Sequence, residues 1–118
     1  MVNATRSVKE KFVGRWHLRA MSEWDYDYLS MLDPPELEIS SDGSGSIRFG
    51  ALEGVLDVMS DEWRPDDILQ FTIVGSDEGD EIFGRGCAMI RDELLMGRIA
   101  FHQGEVSDFE AERLMKNG

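Results

Sequence analysis

The stretch ILQFTIVGSDEGDEIFGRGCAMI, residues 68–90, predicts two adjacent β-strands joined by a tight turn. Its first run, 68–74, alternates large apolar residues with polar ones, which is typical of a strand with one buried face. In the second run, 82–90, glycine or alanine occupies every other position from 84 to 88. Small residues on an inward face allow a sheet to coil sharply and leave room for bulky neighbours.

The same alternation recurs along the chain, which predicts an all-β protein. A polar segment at 61–67, which contains Pro65, is predicted to be a turn. Short helical turns are expected only within 5–12 and within the loop 22–35. The predicted strands are 12–21, 36–40, 45–50, 55–60, 68–74, 82–90, 94–102 and 107–114.

About eight consecutive antiparallel strands must hide their edges, and a closed up-and-down barrel does so. A sandwich of two sheets is the alternative, and the glycine-alanine row at 84–88 favours the barrel. A chain of 118 residues has the length of one domain, so we expect residues 1–118 to form a single barrel domain.

The charge balance narrows the classes of partner. There are 24 acidic and 12 basic residues, a net charge of −12, and the basic residues are not clustered. This composition argues against nucleic acids and anionic membranes as partners. The single cysteine, Cys87, excludes an internal disulfide, and neither a secretory leader nor an apolar run of about 18 residues is present. We therefore expect a cytoplasmic protein.

Both ends of the chain carry a resemblance to a known barrel class. Phe12, Gly14 and Trp16 form F-x-G-x-W at the first predicted strand, and Arg113 lies near the end of the last. This arrangement resembles the lipocalin and related calycin barrels, in which a G-x-W motif opens the first strand. The resemblance implies that the Arg113 guanidinium packs across the Trp16 indole and donates to backbone carbonyls.

A second resemblance spreads over most of the chain. It is to a family of small uncharacterised bacterial proteins, which implies a bacterial cytoplasmic origin and no particular chemistry. The motifs that carry it are M-x-x-W-D (21–25), G-S-G (43–45), F-G (49–50), F-T-x-x-G-x-D-E-G-D (71–80), G-R-G (84–86), G-x-I-x-F-H-x-G-E (97–105) and S-x-F-x-A-x-R (107–113).

The acidic segment 77–81 is predicted to be a solvated hairpin turn. Its spacing differs from that of a calcium loop, and Gly79 supplies the positive φ that a tight turn requires. Weak cation binding stays open. No catalytic motif is present, so an enzymatic function is the least favoured of the functional hypotheses, and we expect no cofactor and no metal site. His102 ends its strand, where Glu105 and Asp108 are near enough in sequence to hold its imidazole.

The main functional hypothesis is a binding module for a small, mostly apolar ligand. The first loop carries Trp24 and Tyr28, which either plug the barrel or line a ligand entrance, and small eight-stranded barrels do both. We expect a cavity of a few hundred Å³. The predicted ligand-binding residues are Trp24, Tyr28, Phe49, Phe71, Phe101 and His102.

An acidic protein-interaction module without a ligand is the alternative hypothesis, in which the outer surface meets a basic partner. A homodimer through the outer barrel face is a further hypothesis. It would use Cys87, Met89 and Val58, whose orientation the sequence leaves open.

Overall fold

The computed structural model describes residues 8–59 and 68–114, and it is a closed barrel of eight antiparallel strands. Each strand pairs with the next along the chain, and the last pairs with the first. A 3₁₀ turn (Glu10–Phe12) precedes the barrel, and a short helix, α1 (Tyr26–Leu29), follows the first strand. The strands are β1 (Gly14–Met21), β2 (Glu36–Ile39), β3 (Ser44–Phe49), β4 (Leu52–Met59), β5 (Ile68–Asp77), β6 (Asp80–Arg91), β7 (Leu94–Phe101) and β8 (Val106–Arg113).

The predicted all-β up-and-down barrel is thus confirmed, and the sandwich alternative is wrong. All eight predicted strands are present, and the two short helical elements lie within the predicted segments. The predicted turn at 61–67 lies outside the described residues, as does the beginning of the segment 5–12.

The period of two predicts correctly which side chains form the core. Leu69, Phe71 and Ile73 of β5 are all buried inside the barrel. The opposing strand β6 has small residues there, and Phe71 lies directly across from Gly86. A Cβ atom at Gly86 would lie 2.5 Å from Cζ of Phe71, so the phenyl ring occupies the space that the missing side chain leaves. The glycine-alanine row therefore makes room for aromatic residues on neighbouring strands.

The alternation fails at the end of β1. The pairing of β1 with β8 shifts between Leu18 and Ala20, so one extra residue lies on β1. This bulge turns Ala20 to the outside and places Met21 in the core. A strict period of two that starts from Trp16 and Leu18 would place Ala20 on the inner face, and a bulge of this kind has no clear signature in the sequence.

The closing seam of the barrel joins the two chain ends. Trp16 and Arg113 are direct partners across β1 and β8, and the Arg113 guanidinium carbon lies 4.2 Å from the centroid of the indole ring. The guanidinium donates hydrogen bonds to the carbonyls of Val13 and Lys11, and the Trp16 indole donates to the carbonyl of Phe12 at 3.0 Å. The arrangement that the resemblance implied is confirmed, and it closes one end of the barrel.

The opposite end, called the mouth here, carries the connections β1–β2, β3–β4, β5–β6 and β7–β8. In an up-and-down barrel alternate connections lie at the same end, so four segments far apart in the sequence meet there. Helix α1 belongs to the first of them. Within the described residues, no helix has the length and apolar character needed to cross a membrane.

Candidate functional site: a cavity at the mouth of the barrel

A cavity of about 250 Å³ lies at the mouth, between the first loop and the tips of the β5–β6 and β7–β8 hairpins. Aromatic rings make up much of its wall, and carboxylates and one histidine are also among its lining residues. The aromatic residues are Trp24, Tyr28, Phe49, Phe83 and Phe101, and the titratable residues are Asp77, Glu81, His102 and Glu105.

Five of the six residues predicted to bind a ligand line this one cavity: Trp24, Tyr28, Phe49, Phe101 and His102. The sixth, Phe71, is not among the lining residues. It is the fourth residue of β5, a strand that reaches the mouth only at Asp77, and its ring packs against Gly86 inside the barrel. Phe71 is therefore placed as a core residue below the cavity.

Helix α1 holds two of the cavity walls in position. Asp25 caps the helix by accepting a hydrogen bond from the Tyr28 backbone N–H at 3.0 Å. Leu29 is fully buried, and its carbonyl accepts from the Gly50 N–H at 2.9 Å. The ring of Tyr28 lies against Gly50, in the space that a Cβ atom would need. Asp25 thus starts the helix, and Tyr28 and Leu29, which follow two exposed residues, attach the loop to the β3–β4 connection.

Further hydrogen bonds tie the first loop to the barrel wall. The Ser22 hydroxyl accepts from the Asp108 backbone N–H at 2.8 Å, and the Ser107 hydroxyl accepts from the Glu23 N–H at 3.2 Å. The Tyr26 hydroxyl lies 2.9 Å from Nε2 of His17 on the outer face of β1. Because the loop is held at its beginning and at its helix, the cavity wall is largely pre-formed.

The aromatic residues of the loop form a cluster with the barrel. The ring of Trp24 stacks on Tyr28 with centroids 6.2 Å apart, and it lies 5.1 Å from the ring of Phe49. Trp24 and Tyr28 are only half-buried, whereas Leu29 is completely enclosed. Trp24 and Tyr28 thus pack against the core and also line the cavity, and Leu29 is itself a core residue.

The acidic segment forms the hairpin turn that the sequence predicted. Asp77 pairs with Asp80, and the two residues between them, Glu78 and Gly79, have φ values of 52° and 90°. Positive φ at both central positions is the geometry of a type I′ turn. Asp77 and Glu81 line the cavity from this hairpin. Within the described residues, no three His, Cys, Asp or Glu side chains are grouped so that they could hold a metal ion.

The surroundings of His102 differ in part from the prediction. Glu105 lines the cavity together with His102, but Asp108 lies on the outer face and accepts a hydrogen bond from Arg98 at 2.7 Å. The backbone N–H of His102 donates to the carbonyl of Phe83 at 2.7 Å, which fixes the β7–β8 loop against β6. Asp108 is thus excluded as a partner of the imidazole.

The three residues of the predicted dimer face do not share a surface. Cys87 and Met89 lie on the outside of β6, beside a shallow groove of about 390 Å³. Val58 is buried inside the barrel, because it occupies an inward position of β4 opposite Phe71. An outer dimer face therefore excludes Val58.

Sequence reasoning did not assign Asp77, Glu81 or Glu105 to the site. The signal that would have found them is topological: the connections after β1, β5 and β7 are all odd-numbered, so an up-and-down barrel brings them to the same end. Leu52, at the start of β4, was missed because the predicted strand began only at residue 55.

Comparison with known proteins identifies no relative: no family model, no curated protein and no solved structure matches the chain. The class of the protein is therefore defined by its own geometry. It is a closed antiparallel barrel of eight strands, stapled at one end by Arg113 on Trp16 and bearing an aromatic cavity at the other.

Proposed function

We propose that this barrel is a calycin-like binding module that holds a small, mostly apolar molecule in the mouth cavity. The observation that carries the proposal is that four aromatic residues line one cavity of about 250 Å³. Trp24 and Tyr28 come from the first loop, Phe49 from the end of β3 and Phe101 from the end of β7. Ligand sites are typically about 300–1,000 Å³, so the volume suits a small molecule.

The physical basis is desolvation of an existing apolar surface. Aromatic walls favour an apolar occupant because its burial removes apolar area from water. The anchored first loop reduces the ordering cost of binding, since the wall is in place before the ligand arrives. The staple of Arg113 on Trp16 is at the opposite end of the barrel, which fits a molecule with one closed end and one binding end.

The test is a titration with small neutral aromatic probes, indole and phenethyl alcohol, followed by ¹H–¹⁵N NMR. Binding at the mouth would shift the indole N–H signal of Trp24, whereas the signal of Trp16 at the other end of the barrel would stay in place. Tyr28→Ala would weaken the binding, and Met31→Ala is the matched control because Met31 lies just beyond the same helix, is exposed and does not line the cavity.

If neither probe moves the Trp24 signal at millimolar concentration, the ligand-binding proposal is lost. Equal binding by the Tyr28→Ala and Met31→Ala variants, both shown to be folded by their thermal transitions, would place the probe somewhere other than this cavity and would count against the proposal equally.

A second candidate function is protein docking without a ligand, favoured by an exposed apolar row on the outer face. Val55, Val74 and Phe83 are direct cross-strand partners on β4, β5 and β6, and each is about half exposed or more. Self-association that is seen by sedimentation and abolished by Val74→Lys would support this candidate. If the protein sediments as a monomer at all concentrations, docking of this face against a second copy of the chain is excluded.

A further inference from the structure

We infer that the ligand of the mouth cavity is a cation, namely a small organic ammonium ion with an apolar or aromatic body. This inference rests on the proposed function and adds the charge of the ligand to it. It comes from the two kinds of surface that meet in the cavity, aromatic rings and carboxylates.

The carboxylates of the cavity differ from those on the outer wall of the barrel. On the wall, acidic residues are matched by arginines: Arg15 pairs with Glu36, Arg19 with Glu110 and Arg98 with Asp108, each at 2.7 Å. At the mouth, Asp77, Glu81 and Glu105 form no salt bridge to any residue in the described ranges 8–59 and 68–114.

No described residue that lines the cavity is a lysine or an arginine, and His102 is the one lining side chain that is able to carry a positive charge. The negative potential of the three carboxylates is therefore not neutralised from within the lining. A net charge of −12 adds to this potential over the whole molecule. Concave sites lined by one sign of charge concentrate ligands of the opposite sign.

The aromatic wall favours the same class of ligand. The faces of tryptophan, tyrosine and phenylalanine rings attract cations, and this attraction is stronger where water is excluded. Trp24, Tyr28 and Phe49 form one connected ring cluster beside the cavity. A neutral apolar ligand would use the rings only, whereas an organic ammonium ion would use both the rings and the carboxylates. An anion would be repelled.

The experiment compares three probes of nearly the same shape: phenethylammonium, phenethyl alcohol and phenylacetate. Dissociation constants are measured from the Trp24 indole N–H shift at low salt. We expect phenethylammonium to bind about three- to tenfold more tightly than the alcohol, since each exposed charge pair or cation–π contact contributes about two- to fivefold. Phenylacetate is expected to bind most weakly. Raising the salt should weaken the cation and leave the alcohol unchanged.

Three single substitutions localise the effect, and each removes one exposed carboxylate. Glu81→Gln and Glu105→Gln should each lower the affinity for phenethylammonium by about two- to fivefold, with no change for phenethyl alcohol. The control is Glu93→Gln, because Glu93 is exposed in the β6–β7 turn at the far end of the barrel, and it should leave both affinities unchanged.

The outcomes separate the two proposals. If the alcohol binds as tightly as the ammonium ion, or if Glu93→Gln matches the effect of the mouth variants, the ligand is not selected by charge and this inference fails, while the apolar binding site stands. If none of the three probes shifts the Trp24 signal, both the inference and the proposed function fail.

Discussion

The guanidinium of Arg113 lies over the indole of Trp16 at 4.2 Å from the ring centroid, and this contact joins the first strand of the barrel to the last. The same guanidinium donates to the carbonyls of Val13 and Lys11, which belong to the segment that leads into β1. One side chain therefore stabilises the seam and the N-terminal segment together. Trp16 itself is 1% exposed, so the indole face that Arg113 covers is part of the core boundary.

We predict that Arg113→Ala lowers the free energy of unfolding by about 2–3 kcal/mol, because it removes charged hydrogen bonds and the cation–π contact at once. Arg113→Lys should recover only part of this loss, since an ammonium group cannot stack on the ring and reach two carbonyls in the same way. Urea unfolding measures both. Arg98→Ala is the control, because its ion pair with Asp108 is exposed on both sides. If Arg113→Ala lowers the free energy of unfolding no more than Arg98→Ala does, the contact of Arg113 with Trp16 does not stabilise the closing seam.

A second prediction concerns the fit between Phe71 and Gly86. A methyl group at Gly86 would lie 2.5 Å from Cζ and 2.6 Å from Cε1 of Phe71, whose side chain is buried in the core. We expect Gly86→Ala to destabilise the barrel by about 1–3 kcal/mol, the usual cost of overpacking. Since φ of Gly86 is not positive, backbone strain does not contribute.

Phe71→Leu should relieve this clash. In the double variant the cost of Gly86→Ala should fall by about 1 kcal/mol or more, which a double-mutant cycle in urea would measure. Additive effects of the two substitutions would show that the ring and the glycine are not matched, and the role assigned to the glycine-alanine row would then be wrong.

The pH dependence of stability provides a third prediction. Arg15 donates two hydrogen bonds to Glu36, at 2.9 and 2.7 Å, and they hold the pKa of the Glu36 carboxyl below its usual range. A carboxyl whose pKa is lower in the folded than in the unfolded protein stabilises the fold above its unfolded pKa. It loses this contribution as the pH falls through the folded pKa.

Glu36→Gln should therefore reduce stability at neutral pH, and the difference from the parent protein should shrink as the pH falls below the ordinary range of a glutamate. The measurement is a series of urea unfolding curves from neutral pH down to well below the ordinary pKa of a glutamate, so that the lowered pKa of Glu36 is crossed. Glu93→Gln serves as control, with a difference that stays small throughout. A Glu36→Gln deficit that is the same at both pH limits would mean that the ion pair is not its cause.

The strands could be predicted from the sequence because the barrel has one buried face, and a period of two records it directly. The ends of the strands were predicted less accurately than the strands themselves. β5 and β6 continue to Asp77 and Asp80, past the last apolar residue, since backbone pairing in a hairpin does not require apolar side chains. β4 begins three residues earlier than predicted, because the strand continues through Gly54. This glycine faces Ile73 inside the barrel, where no side chain of its own marks an inward position.

The part of the candidate site that was predicted consists of residues whose own type and position in a strand or loop indicate a role. Aromatic residues in a long first loop indicated Trp24 and Tyr28, and the alternation of the strands indicated Phe49 and Phe101 as inward-facing residues. The carboxylates that complete the cavity come from turns, where a polar residue is expected in any case. Their meeting at one end depends on the order of the strands and not on any local pattern, so the sequence alone did not place them together.

The last prediction concerns the attachment of α1 at Gly50. This residue has a φ of 57°, and a Cβ atom there would clash with Cε2 and Cζ of the Tyr28 ring. Gly50→Ala should therefore impose backbone strain and also push Tyr28 away from its position beside Trp24. Gly79→Ala is a matched control: its φ of 90° is also positive, but nothing lies within 4 Å of the added methyl group. The control isolates the cost of strain, about 1–2 kcal/mol.

We expect Gly50→Ala to cost about 1–3 kcal/mol more than Gly79→Ala, because only the first adds overpacking to strain. It should also shift the indole N–H signal of Trp24, since the Tyr28 ring that stacks on Trp24 is displaced. Gly79→Ala should leave that signal in place. Equal costs for the two variants, or an unmoved Trp24 signal in Gly50→Ala, would show that the first loop is not fixed through Tyr28. The cavity wall would then not be pre-formed, and binding would have to include the cost of ordering it.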